Sequence, residues 1–120
     1  MNKYLILTYR NISYSMVNNA REFWDRLLAE LGKQQQHLTT WSAFRPSNRP
    51  FTVRALGDTI VVNGPSISVP RTIIYNEFEC VFSYYDDYVN HVLGIRSMIR
   101  DECGLNSSYI ITLIHEYRRE

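Results

Sequence analysis

Apolar positions along this chain form four helical stripes around a β-rich centre. Val17, Ala20, Trp24, Leu27, Leu28 and Leu31 recur at three- and four-residue spacing, which predicts a long amphipathic helix over residues 15–31. Asn19 with Glu22 resembles a capping box, Ser15 offers a start one turn earlier, and Gly32 is a natural stop. Phe78, Val81, Phe82, Tyr85 and Val89 predict a second helix opening at Asn76, with Asn76 and Glu79 as its capping box. In the last quarter, Arg96 to Tyr117, the apolar residues Ile99, Cys103, Leu105, Ile110 and Leu113 flank a lone glycine, Gly104. That spacing predicts two short helices joined at a turn.

The centre reads as strand. The runs PFTVRAL and TIVVN, between Phe51 and Asn63, are joined by Gly57-Asp58 and predict a hairpin. Asn63-Gly64-Pro65 turns the chain again, and Ile67 to Ile74 is a third strand that Pro70 either places at an edge or breaks. Lys33 to Pro50, with its glutamines, serines and prolines, reads as a surface connection carrying one strand near Leu38 to Trp41. Tyr4 to Tyr9 reads as a short strand or an apolar tail docked on the first helix. The expected fold is a single α+β domain over residues 1–120. A long N-terminal helix and C-terminal helices pack on a small, mainly antiparallel sheet.

Composition makes a packed core credible: 45% of the residues are apolar and 13% aromatic. A net charge of +1 excludes a global field that would draw polyanions. The basic residues are lopsided, however: eleven are arginine, and only Lys3 and Lys33 are lysine. The planar guanidinium suits bidentate phosphate contacts. Residues 40–75 hold the one basic cluster, Arg45, Arg49, Arg54 and Arg71, against a single acid, Asp58. Cys80 and Cys103 both fall on apolar helix faces and read as buried free thiols, with a disulfide between them left open. The apolar run in MNKYLILTYRN is too short for a secretory core, and no segment reaches membrane-spanning length. The expectation is a soluble cytoplasmic protein without a membrane partner.

The search for chemistry returns little. There is no glycine-rich phosphate loop, no Cys-x-x-Cys pair and no His-Glu-x-x-His helix. His37, His91 and His115 are dispersed and read as solvated or capping residues. Asp86 and Asp87 point about 100° apart on a helix and cannot clasp one ion unaided. A metal-dependent nuclease of the Asp…Glu-x-Lys kind needs a lysine beside its acids, and no lysine follows Lys33. Cys103 stands beside Asp101 and Glu102, which oppose a thiolate. The reading is a non-enzyme with no cofactor and no metal.

Two surfaces offer themselves for binding. In the closing helix pair, Ile110, Leu113, Ile114 and Tyr117 would face the core, and Ser108, Thr112, His115 and Arg118 would face outward. Ser107 and Ser108 at the helix start could meet a phosphate, in the manner of a helix-turn-helix. Against a recognition role, Arg100 sits where close helix packing wants a small residue, and the outward face lacks base-reading Arg, Asn or Gln. Two ordinary amphipathic helices packed on the sheet are the plain alternative. The second surface belongs to a protein-interaction or self-association module, for which Tyr84 and Tyr88 lie one turn apart beside the buried stripe.

Three short segments carry a family resemblance. Arg49-Pro50-Phe51-Thr52-Val53, then Pro70-Arg71-Thr72-Ile73 leading into Asn76-Glu77-Phe78-Glu79, then Ser107-Ser108-Tyr109-Ile110 follow one another in this order. The arrangement, over residues 23–115, resembles small bacterial domains that occur alone or beside restriction-type nuclease modules. The resemblance implies an accessory role in a nucleic-acid-processing or defence context, with no catalytic residue to carry over. The expectation is therefore a non-catalytic DNA-binding accessory module. Its contacts would be Arg45, Arg49, Arg54 and Arg71 on the loop-and-hairpin side, with Ser107, Ser108, Thr112, His115, Arg118 and Arg119 as a second surface.

Overall fold

The first stripe winds into helix α1 (Ile12–Lys33) in a computed structural model that describes residues 12–118, with side chains from residue 19 onward. The expected strand or tail at Tyr4 to Tyr9, and Arg119, lie outside the described residues. Because α1 starts at Ile12, Asn19 is an exposed mid-helix residue and not a cap. Ala20, Phe23, Trp24, Leu27 and Leu31 are buried along one face. Trp24 packs against Phe78 and Tyr75 with ring centroids 5.2 Å and 5.8 Å away.

Four strands follow: β1 (Gln36–Thr39), β2 (Pro50–Leu56), β3 (Thr59–Asn63) and β4 (Arg71–Ile73). They pair in sequence order and antiparallel throughout. Gly57 takes a left-handed φ of 63° in the β2–β3 turn, which explains a glycine there. The third expected strand shrinks to three residues at the sheet edge. It begins immediately after Pro70, which has no N–H to give a ladder. Phe51, Val53, Ile60, Val62 and Ile73 share the core face, while Arg54, Thr52 and Thr72 alternate onto the other.

Helices α2 (Tyr75–Val89), α3 (Ile95–Cys103) and α4 (Ser107–Tyr117) complete an α+β fold. α2 opens one residue earlier than expected, and Glu77 does the capping in place of Glu79: its Oε1 accepts from the Ile74 N–H at 3.3 Å. Gly104 ends α3 with a φ of 96°, so the expected helix pair is present. The pair is not an isolated helix-turn-helix, because α3 and α4 each pack chiefly on α2. Ile110, Ile111, Thr112, Leu113 and Ile114 are buried in succession, so the middle of α4 is covered on every side and only its last turn, with His115 and Glu116, reaches solvent. Leu105 does not join the apolar stripe: it is 78% exposed, and Asn106 turns inward to donate to the Thr72 carbonyl and the Glu77 carboxylate.

Cys80 and Cys103 are not free thiols. They form a disulfide tying α2 to α3, with Cα atoms 5.5 Å apart. Among the described residues, no helix is long and apolar enough to cross a membrane.

Candidate functional site

The loop from Thr40 to Arg49 folds over the middle of the polar face of α4, burying Thr112 and leaving His115 and Arg118 exposed. Thr112, fully buried, accepts from the Trp41 N–H at 2.9 Å and donates to the Ser108 carbonyl at 3.0 Å. One turn further along, His115 stacks flat on Trp41, with centroids 3.7 Å apart and planes 3° from parallel. The loop closes on itself like an Ω-loop. The Thr40 N–H donates to the Arg49 carbonyl, the Arg49 N–H to Thr40 Oγ1, and the Thr40 and Ser47 hydroxyls share a 2.7 Å bond. Tyr88 is the post beneath it. Its ring is 1% exposed, and its hydroxyl accepts from the Ala43 N–H at 3.0 Å and donates to Ser42 Oγ at 3.3 Å.

Under this loop lies a cavity of about 100 Å³ whose wall is mostly polar. Three arginines line it: Arg45 and Arg49 from the loop, and Arg96 from the first turn of α3. Ser42, Ser47 and Ser108 add hydroxyls. Among the described residues, none that lines it is acidic. Arg96 Nη2 donates to Ser108 Oγ at 3.2 Å, whereas the enclosed Nη1 has no hydrogen-bond partner among the described residues. A buried, unpaired guanidinium nitrogen is costly unless an anion completes it. Burial lowers the Arg96 pKa from arginine's ordinary value, with Tyr88 opposing the shift and Arg100 adding to it. The side chain nevertheless stays cationic. The arrangement suits a small oxyanion: three arginines and three serine hydroxyls line one cavity without an acidic residue among them.

No family model, curated protein or solved structure matches this chain. The site therefore stands on its own geometry.

Of the residues expected to bind, Arg45, Arg49 and Ser108 meet at this cavity. Arg54 lies on the open face of the sheet. Arg71 sits at the sheet edge, donating to the Leu105 carbonyl at 3.3 Å and lying 5.9 Å from the Tyr109 ring. The four arginines thus do not form one cluster, because strand alternation and the β4 edge send them to different faces. Ser107 and Thr112 are buried and cannot serve as surface contacts. Arg118 is engaged with Asp86 at 3.5 Å at the far end of α4. Tyr88 is buried, which removes it from any exposed interface, and Tyr84 donates to Glu102 at 2.6 Å. Arg96 and Trp41 were missed as site residues; their clue was the serine and arginine content of the loop, which needs something to fold over.

Proposed function

We propose that this chain is a non-catalytic module that binds nucleic-acid phosphates at the corner formed by the Thr40–Arg49 loop, Arg96 and Ser108. One observation carries the reading: three arginines share an acid-free cavity in which Arg96 Nη1 is enclosed and unpaired. Trp41 and the half-exposed Phe44 stand beside it, which is the pairing of cationic and aromatic side chains that single strands favour. The resemblance to restriction-associated accessory modules supports the same ligand class, because Arg49 and Ser108 belong to two of the motifs that carry it. The cytoplasmic expectation drew on free thiols and on the short N-terminal apolar run; the disulfide removes the first support and favours an oxidising compartment.

The alternative, a protein-interaction or self-association module, drew on Tyr84 and Tyr88. Tyr88 is buried and the Tyr84 hydroxyl is held by Glu102 at the surface, and the most exposed apolar residues, Leu93 and Leu105, lie at opposite ends of α3 and so do not form one patch. The test is the salt dependence of binding to a short single-stranded oligonucleotide. Log affinity should fall linearly with log salt, and Arg45→Ala with Arg49→Ala should flatten the slope by about two. Binding indifferent to salt and to both substitutions overturns the proposal.

A further inference from the structure

We infer that the cavity receives a terminal phosphate monoester, so that the module recognises a phosphorylated strand end in preference to the continuous backbone. The inference rests on the nucleic-acid reading above and makes its ligand specific. Size is the first argument. A volume of about 100 Å³ equals roughly three waters, enough for one tetrahedral oxyanion. An internal phosphodiester would have to lead a sugar out on each side, which a recess of this size accommodates less well than a single chain end.

Charge is the second argument. Arg45, Arg49 and Arg96 bring three positive charges to the wall of one cavity. A monoester carries nearly two negative charges and three free oxygens at neutral pH, whereas a diester carries one charge and two free oxygens. The three guanidinium groups and the Ser42, Ser47 and Ser108 hydroxyls provide more donors than a diester can use. Enclosure of Arg96 strengthens its preference for the more highly charged ligand, since the local dielectric is low.

The third argument is the neighbouring space. An open groove of about 530 Å³ adjoins the cavity and shares Trp41, Ser42, Arg45 and Ser47 with it. Ala43, Phe44, Pro46 and Asn48 supply the rest of its wall. The groove is large enough for a nucleoside, with Phe44 offering a ring to stack on and Asn48 an amide for a base edge. A phosphate in the small cavity therefore has a place beside it for the nucleoside to which it is attached.

The experiment compares one ten-nucleotide single strand in three forms, by calorimetry at fixed salt: 5′-phosphorylated, 3′-phosphorylated and unphosphorylated. At least one phosphorylated form should bind tenfold or more tightly than the unphosphorylated strand, with inorganic phosphate competing. Arg96→Met should erase the difference. Arg45→Ala, at an exposed loop position, should reduce it severalfold and guards against a folding defect in the first variant. Equal affinity for all three strands overturns the terminal-phosphate inference and leaves the module reading standing. Failure of every strand to bind overturns both. A phosphate preference that survives Arg96→Met and Arg45→Ala overturns the assignment to this cavity.

Discussion

Two groups of arginines in this molecule have opposite fates. Arg21, Arg26 and Arg118 lie along α1 and the end of α4, and each has both a polar partner and an aromatic ring. Arg21 pairs with Asp25 at 3.5 Å and covers Tyr75; Arg26 donates to the Tyr117 carbonyl and covers Phe23; Arg118 pairs with Asp86 and covers Tyr85. The cleft that Arg26 and Arg118 border is larger, about 330 Å³, but Glu22 and Asp86 line it too. Arg45, Arg49 and Arg96 instead share a smaller cavity with hydroxyls and no acid among the described residues. Cleft size and arginine number therefore say little about anion binding. The informative difference is whether the guanidinium groups already have partners.

The contrast can be broken or sharpened by substitution. The largest effect should come from Cys80→Ala with Cys103→Ala. The disulfide anchors α3, which carries Arg96, and closing a loop of this length stabilises by about 3 kcal/mol. Denaturant titration of the oxidised and doubly substituted proteins should show that loss. Arg96→Met should come next, weakening phosphate affinity by about 1.5–3 kcal/mol, or at least tenfold by calorimetry, in line with a charge-assisted hydrogen bond. Tyr88→Phe should cost about 1–2 kcal/mol in thermal unfolding, because Ala43 and Ser42 lose their shared partner, and should weaken anion binding through the loop. Arg118→Ala should be the mildest: under 1 kcal/mol in stability, as for exposed ion pairs, with no change in anion affinity. An Arg118 variant that binds phosphate as poorly as Arg96→Met would erase the distinction between the two groups.

Much of the fold was legible because its signals are local. The stripes at Trp24, Leu27 and Leu31, and at Phe78, Val81 and Tyr85, mark buried faces, and Gly57 marks the hairpin turn. What sequence conveys poorly is which polar face stays wet. Ser108, Thr112 and His115 have the spacing of a solvated helix face, yet Trp41 of the loop bonds Thr112 and stacks on His115, while Arg96 bonds Ser108. A polar face covered by a polar loop has the same residue pattern as one covered by water. The disulfide depended likewise on how α2 and α3 pack, which periodicity does not report. Of the cavity, Arg45 and Arg49 were visible through the charge imbalance of residues 40–75. Arg96 was hidden, because it lies far along the chain and near the compensating acids Asp101 and Glu102.

The central claim is that Arg45, Arg49 and Arg96 form an anion site while the arginines of the larger cleft do not. Titration of the oxidised protein with inorganic phosphate, followed by nitrogen–proton correlation spectra of backbone amides and arginine side chains, tests it most directly. The account predicts saturable shifts confined to the Trp41–Arg49 amides, Ser108 and the Arg45, Arg49 and Arg96 guanidinium groups. Shifts centred on Arg26 and Arg118, or none at Arg96, would contradict it.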